Sequence, residues 1–177
     1  SACRMGSGRT KSVASLFISR WDVAVAAKVP PALRNRLGIA IGGRTYNAYC
    51  DLVASPRYRR AMNAGGRPQR LLFASTGTKD PKASDVMYVE ALAAPFTVNT
   101  IPEGTLLAAG DHAQIGSETP ADGGDCEAVL REFKAAGVDV DALAAQLQDE
   151  GAKSFVDSWN ELMGVLAAKS ATLGKAA

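Results

Sequence analysis

The sequence predicts an α/β fold of parallel strands, on three observations. Short apolar runs rich in β-branched and aromatic residues start near residues 12, 70 and 95, helical periodicity separates or follows them, and each run ends in a polar cluster. The first run, SVASLFIS at 12–19, has no sustained polar alternation, as a strand covered on both faces requires. Arg20 and Asp22 close it. From Trp21 to about Gly65 the period becomes helical in VAVAAKVPPALRNRL, IAIGGRTYNAYCDLV and PRYRRAMNA. Pro30 and Pro31 must interrupt the first of these, Pro56 suits the first turn of the last, and Gly65-Gly66 ends it.

RLLFAST at 70–76 is the second strand; a polar GTKDPKAS loop and a short helix around DVMYVEAL follow. PFTVNTIP at 95–102 is the third strand, bounded by prolines. After it come four helical stretches, EGTLLAAGDHA, CEAVLREFKAAG, DVDALAAQLQDEG and SFVDSWNELMGVLAAK, with Asp139 and Asp141 near one helix start. Residues 1–11, SACRMGSGRTK, carry no apolar periodicity and are expected to be a disordered lead-in; the fold occupies 12–177.

Strands alternating with helices are the repeat of a (β/α) barrel, yet a full eight-stranded barrel takes about 250 residues. At 177 residues with three strands, the chain is either an open α/β sheet or a portion of a longer protein. A hydrophobic fraction of 47% can bury a real core. With 20 basic and 18 acidic residues dispersed along it, the net charge of +2 gives no field to draw in nucleic acid or an anionic membrane. No apolar run approaches the roughly 20 residues of a membrane helix. Cys3, Cys50, Cys126 and the single His112 match no disulfide framework or metal spacing, which fits a reducing cytoplasm and a protein without a metal.

In parallel α/β barrels the working groups sit on the loops that follow the strands. Here those ends offer Ser19, Arg20 and Asp22; then Ser75, Thr76, Gly77, Thr78 and Lys79; then Asn99 and Thr100. Arg20 and Lys79 are the cations best placed to meet an anionic substrate. The bland alternatives stay open: STGTK as a solvated turn, and Arg20 with Asp22 as a local ion pair. A P-loop is excluded, since the first glycine of its motif is absent and Asp80 follows the lysine. Cys50, Tyr46 and Tyr49 read as core, Arg57, Arg59 and Arg60 as a solvated helix face, and His112 as a surface histidine.

SVASLFISRWD, RLLFASTGTKDP and DVMYVEALAAPFTVNTIPEGTL, in this order, resemble the final three strand regions of transaldolases. The resemblance implies a partial (β/α)8 TIM barrel, three parallel strands followed by C-terminal helices. It also implies transfer of a dihydroxyacetone unit between sugar phosphates in the pentose phosphate pathway, through a lysine Schiff base and without cofactor or metal. Ser15, Phe17 and Arg20 match that family's S-x-F-x-x-R substrate-binding motif, with 15, 17 and 19 facing the barrel interior and Arg20 meeting the phosphate. Where many members carry an arginine after the next strand, this chain has GTK, so Lys79 and Ser75 are the matching candidates. No lysine stands in a V-x-K-I-P-A-T context, so the resemblance leaves the chain without the nucleophile. The expected partners are sugar phosphates and an N-terminal half of the barrel. Open strand edges add the expectation of self-association, and a non-catalytic sugar-phosphate-binding module is the alternative reading.

Overall fold

Strand β1, Ser12–Phe17, pairs in parallel with β2, Gln69–Ala74, and β2 in parallel with β3, Val98–Asn99. The sheet order is β1-β2-β3, and the β1–β2 register sets Ser15 against Leu72 and Phe17 against Ala74. A computed structural model describes residues 11–173. All of the anticipated lead-in but Lys11, and Cys3 with it, lies outside them.

Alternation along the strands divides the sheet into two faces. Leu71 and Phe73 of β2 join Ile18, Tyr46, Tyr88 and Leu92 in one core cluster, with Leu16 packed against it. Helix α2, Leu37–Ala54, brings Tyr46, and α4, Met87–Ala91, brings Tyr88, so this is the helix-covered face. Ser15, Phe17, Leu72 and Ala74 therefore lie on the other. Ser12 to Ser15 are exposed, because β1 is an edge strand with one neighbour among the described residues.

The strand ends differ from expectation for local reasons. β1 stops at Phe17, since Ile18, after donating its N–H to Ala74 O, turns into helical geometry; α1 then runs Ser19–Val25. Ser19 and Arg20 thus belong to a helix start rather than to a strand. Of the run at 95–102 only Val98 and Asn99 pair. Phe96 is in a left-handed conformation (φ 59°), Thr97 Oγ1 bonds back to Ala94 O, and Pro102 begins the turn into α5, Glu103–His112.

Pro30 and Pro31 do interrupt the first helical stretch, leaving a single 3-10 turn at Pro31–Leu33. Pro56 opens α3, Pro56–Asn63, with Ser55 Oγ accepting from Tyr58 N–H as its cap, and Gly65 follows it in a left-handed turn. On its other flank α2 packs against α6, Cys126–Ala135. The two approach closely because Gly43 has no side chain: a Cβ there would stand 3.0 Å from Gly123 O. Arg44 grips Glu127 through Nε (2.7 Å) and Nη2 (2.8 Å), and Arg36 meets Glu132 at 2.8 Å. Exposed as they are, these pairs add little to stability.

Residues to Val138 form one compact unit and those from Asp139 onward a second. In the second, Asp139 Oδ1 accepts from Asp141 and Ala142 N–H and starts α7, Val140–Leu173. Two helices were anticipated here and one is present. Gly151 costs an exposed helix about 1 kcal/mol, which the good helix formers on either side of it outweigh. No described helix is long and apolar enough to cross a membrane.

Candidate active-site rim at the strand ends

The C-terminal ends of the three strands are tied to one another by hydroxyls. Ser19 and Ser75 share a hydrogen bond between their Oγ atoms at 2.7 Å, and Ser19 N–H donates to Ser75 O at 3.1 Å. Thr76, fully buried, donates to Asn99 Oδ1 at 2.7 Å, with Thr100 O at 3.3 Å. Ser75 holds this place with φ at 57°, a conformation that non-glycine residues adopt at a cost and that recurs where function fixes the backbone. Nothing in the sequence announces it. Gly77 follows because a Cβ there would meet Pro102 Cγ at 3.1 Å, where the third strand's loop passes.

Phe17, Arg20 and Ser75 lie at this end of the sheet, while Ser15 is exposed and pairs with Leu72 two residues back along β1. Ser15 and Phe17 occupy the sheet face opposite the helices, Ser75 ends β2, and the Arg20 guanidinium lies 4.2 Å from the centroid of the Phe17 ring. Such a contact orients a half-buried arginine while leaving its N–H fork available for an anion. Lys79, exposed, lies four residues beyond Ser75 and lines a cavity with Val23, Arg34 and Asp80, whose lining includes none of the other four.

Asp22 is not the ion-pair partner of Arg20. Its carboxylate is buried and accepts from Leu37 N–H (2.9 Å), Gly38 N–H (3.1 Å) and Tyr88 Oη–H (2.7 Å). It thus satisfies the first turn of α2 from outside that helix, as an N-cap would from within. Burial raises its pKa, against the lowering effect of those three bonds, and Tyr88 is raised in turn by burial and by the Asp22 charge. Gly38 is required for the approach, since a Cβ there would stand 2.6 Å from Asp22 Oδ2.

His112 is exposed at the end of α5 and bridges Asp85 (2.9 Å from Nε2) and Asp111 (3.2 Å from Nδ1). The hydrogen bonds to Asp85 and then Asp111 raise its pKa, so the charged ring is favoured in the fold. Its contribution is complete below the ordinary histidine value and lost as pH rises through the raised one. The melting temperature of wild type over His112→Gln should accordingly shrink with rising pH through that window; a constant difference would show that the bridge does not titrate.

The family model described as Transaldolase/Fructose-6-phosphate aldolase matches residues 2–166. The chain belongs to that family. Transaldolases of Saccharopolyspora erythraea and Frankia alni are each 42% identical to it, over 161 and 164 residues, covering 88% of this chain and 44% of theirs. That of Thiobacillus denitrificans is 41% identical over 162 residues, covering 88% of this chain and 45% of its own. The chain therefore spans less than half the length of these curated relatives. Within the transaldolase/fructose-6-phosphate aldolase family, its three parallel strands and helices are those of a partial TIM-type barrel.

Proposed function

We propose that this chain forms the phosphate-holding side of a transaldolase active centre, acting on sugar phosphates in the pentose phosphate pathway. In this reading Arg20 forks onto the phosphate, Ser75 donates to it, and Ser15 and Phe17 line the path of the sugar. The observation that carries the reading is the guanidinium seated on Phe17 beside the hydroxyl-tied ends of three parallel strands, in a member of this family.

The Schiff-base lysine belongs, on this proposal, to the part of the relatives' length that the chain does not span. A nucleophilic lysine needs desolvation to lower its pKa and free the amine. Every lysine among the described residues is exposed. A reducing cytoplasm suits the free thiols of Cys50 and Cys126.

The first test is titration of the chain with fructose 6-phosphate by calorimetry, with inorganic phosphate as competitor. Weak saturable binding that phosphate displaces is expected; no saturation would remove the phosphate site. The partner for β1 is the remainder of the barrel or, when the chain is alone, a second copy, because the edge presents ladder groups along exposed residues. Sedimentation should show association that weakens when Val13, 41% exposed on that edge, becomes lysine. A monomer at all concentrations would sink the edge-pairing proposal.

A further inference from the structure

Residues 52–78 hold five arginines and no acidic residue. Arg57, Arg59 and Arg60 lie on α3, Arg67 precedes β2 and Arg70 is its second residue. The fold gathers them at the N-terminal end of the sheet, opposite the hydroxyl-tied ends. Gly66 N–H bonds back to Ala61 O at 2.9 Å, so the chain leaves α3 in a tight turn and sets Arg67 close to the helix end. Arg70 pairs with Val13 and Gln69 with Ser12, so Lys11 joins the same end from β1. Without these six cations the net charge of +2 would be −4. The absence of a field for nucleic acid follows from the near-balanced total alone, and that total conceals a segregated charge.

The fold does not answer these charges. All six side chains are exposed, and among the described residues none makes a hydrogen bond or ion pair. Helix α3 gains no core in exchange: none of its residues is buried, and Pro56, the Ser55 cap and the turn at Gly65-Gly66 hold it more than burial does. Arg57 and Arg60, three residues apart, repel each other along one helix face. Two half-buried tyrosines stand among the cations, Tyr58 between Arg57 and Arg59 and Tyr49 on α2. Burial raises the Tyr49 pKa, Tyr58 adds to the rise and the Arg70 charge opposes it. The two rings and the guanidinium, from α2, α3 and β2, are therefore within electrostatic reach of one another.

We propose that this surface binds single-stranded nucleic acid, its cations following the phosphodiester backbone and Tyr58 and Tyr49 stacking on bases. Five of the six cations are arginines, whose planar fork both grips phosphate and stacks, as an ammonium does not. An acidic peptide would meet the charges and leave the rings unused. No residue is shared with the Arg20 rim, so this surface and the transaldolase reading fail separately.

The test is fluorescence anisotropy of a labelled oligouridylate of about 12 nucleotides titrated with the whole chain at several salt concentrations. Saturable binding is expected, its association constant falling with salt at a logarithmic slope of about −2 to −3.5, the mark of about three to five neutralised phosphates. Arg57→Gln, Arg59→Gln and Arg60→Gln, combined, should weaken binding about tenfold or more and flatten that slope. These side chains are exposed and glutamine suits a helix, so the variant retains the fold. Tyr58→Leu should weaken binding about fivefold or more at an unchanged slope, the loss of a stacked base. Lys134→Gln on α6 should change nothing, and fructose 6-phosphate should not displace the oligonucleotide. Absence of saturation at low salt, indifference to the arginine substitutions or to Tyr58→Leu, displacement by fructose 6-phosphate, or equal affinity for polyglutamate or phosphatidylserine vesicles would overturn the proposal.

Discussion

Asp22→Ala is expected to lower the unfolding free energy by about 3–5 kcal/mol in urea denaturation, since three buried donors lose their only described acceptor at about 1–3 kcal/mol each. Those donors are Leu37 N–H, Gly38 N–H and Tyr88 Oη–H, gathered on a carboxylate that is only 4% exposed. The same residue sets a pH dependence of unusual sign. With its folded pKa raised by burial, the native state binds the proton more readily than the unfolded chain does. Stability from this group is therefore greatest below the ordinary aspartate value and declines as pH rises through the raised one. Asp22→Ala should abolish that segment of the stability profile. A loss below about 1 kcal/mol would mean that α2 does not depend on this cap.

Arg20→Ala should weaken fructose 6-phosphate binding by about 10- to 100-fold in the calorimetric titration, the loss of a charge-assisted forked contact with phosphate. Stability should change little, since the half-buried side chain's contact with the Phe17 ring is worth about 0.5–1 kcal/mol. Arg20→Lys should fall between, because an ammonium keeps the charge and loses the planar fork. Binding equal to wild type in Arg20→Ala would remove this residue from the site.

The parallel sheet was legible because β1 and β2 are short apolar runs without sustained polar alternation, although β1 is not covered on both faces as that pattern implied: Ser12 to Ser15 are exposed. Other features were set by tertiary contacts that local pattern does not carry. Asp22 reads as a strand-end charge because its three donors lie 15, 16 and 66 residues away. The run at 95–102 has strand composition, yet the left-handed turn at Phe96 confines pairing to Val98 and Asn99. The left-handed Ser75 carries no glycine to signal it, although it brings the hydroxyl to Ser19. The cavity that Lys79 lines together with Arg34 depends on segments 45 residues apart that the Asn35–Asp80 bond joins, which local spacing does not carry.

On the proposed function the nucleophile lies on polypeptide beyond this chain, and reductive trapping reads that directly. The chain is incubated with fructose 6-phosphate and borohydride, then digested and mapped by mass spectrometry. All of its lysines should remain unmodified, as fits the exposure of every described one. A sugar-phosphate adduct on any of them would contradict it.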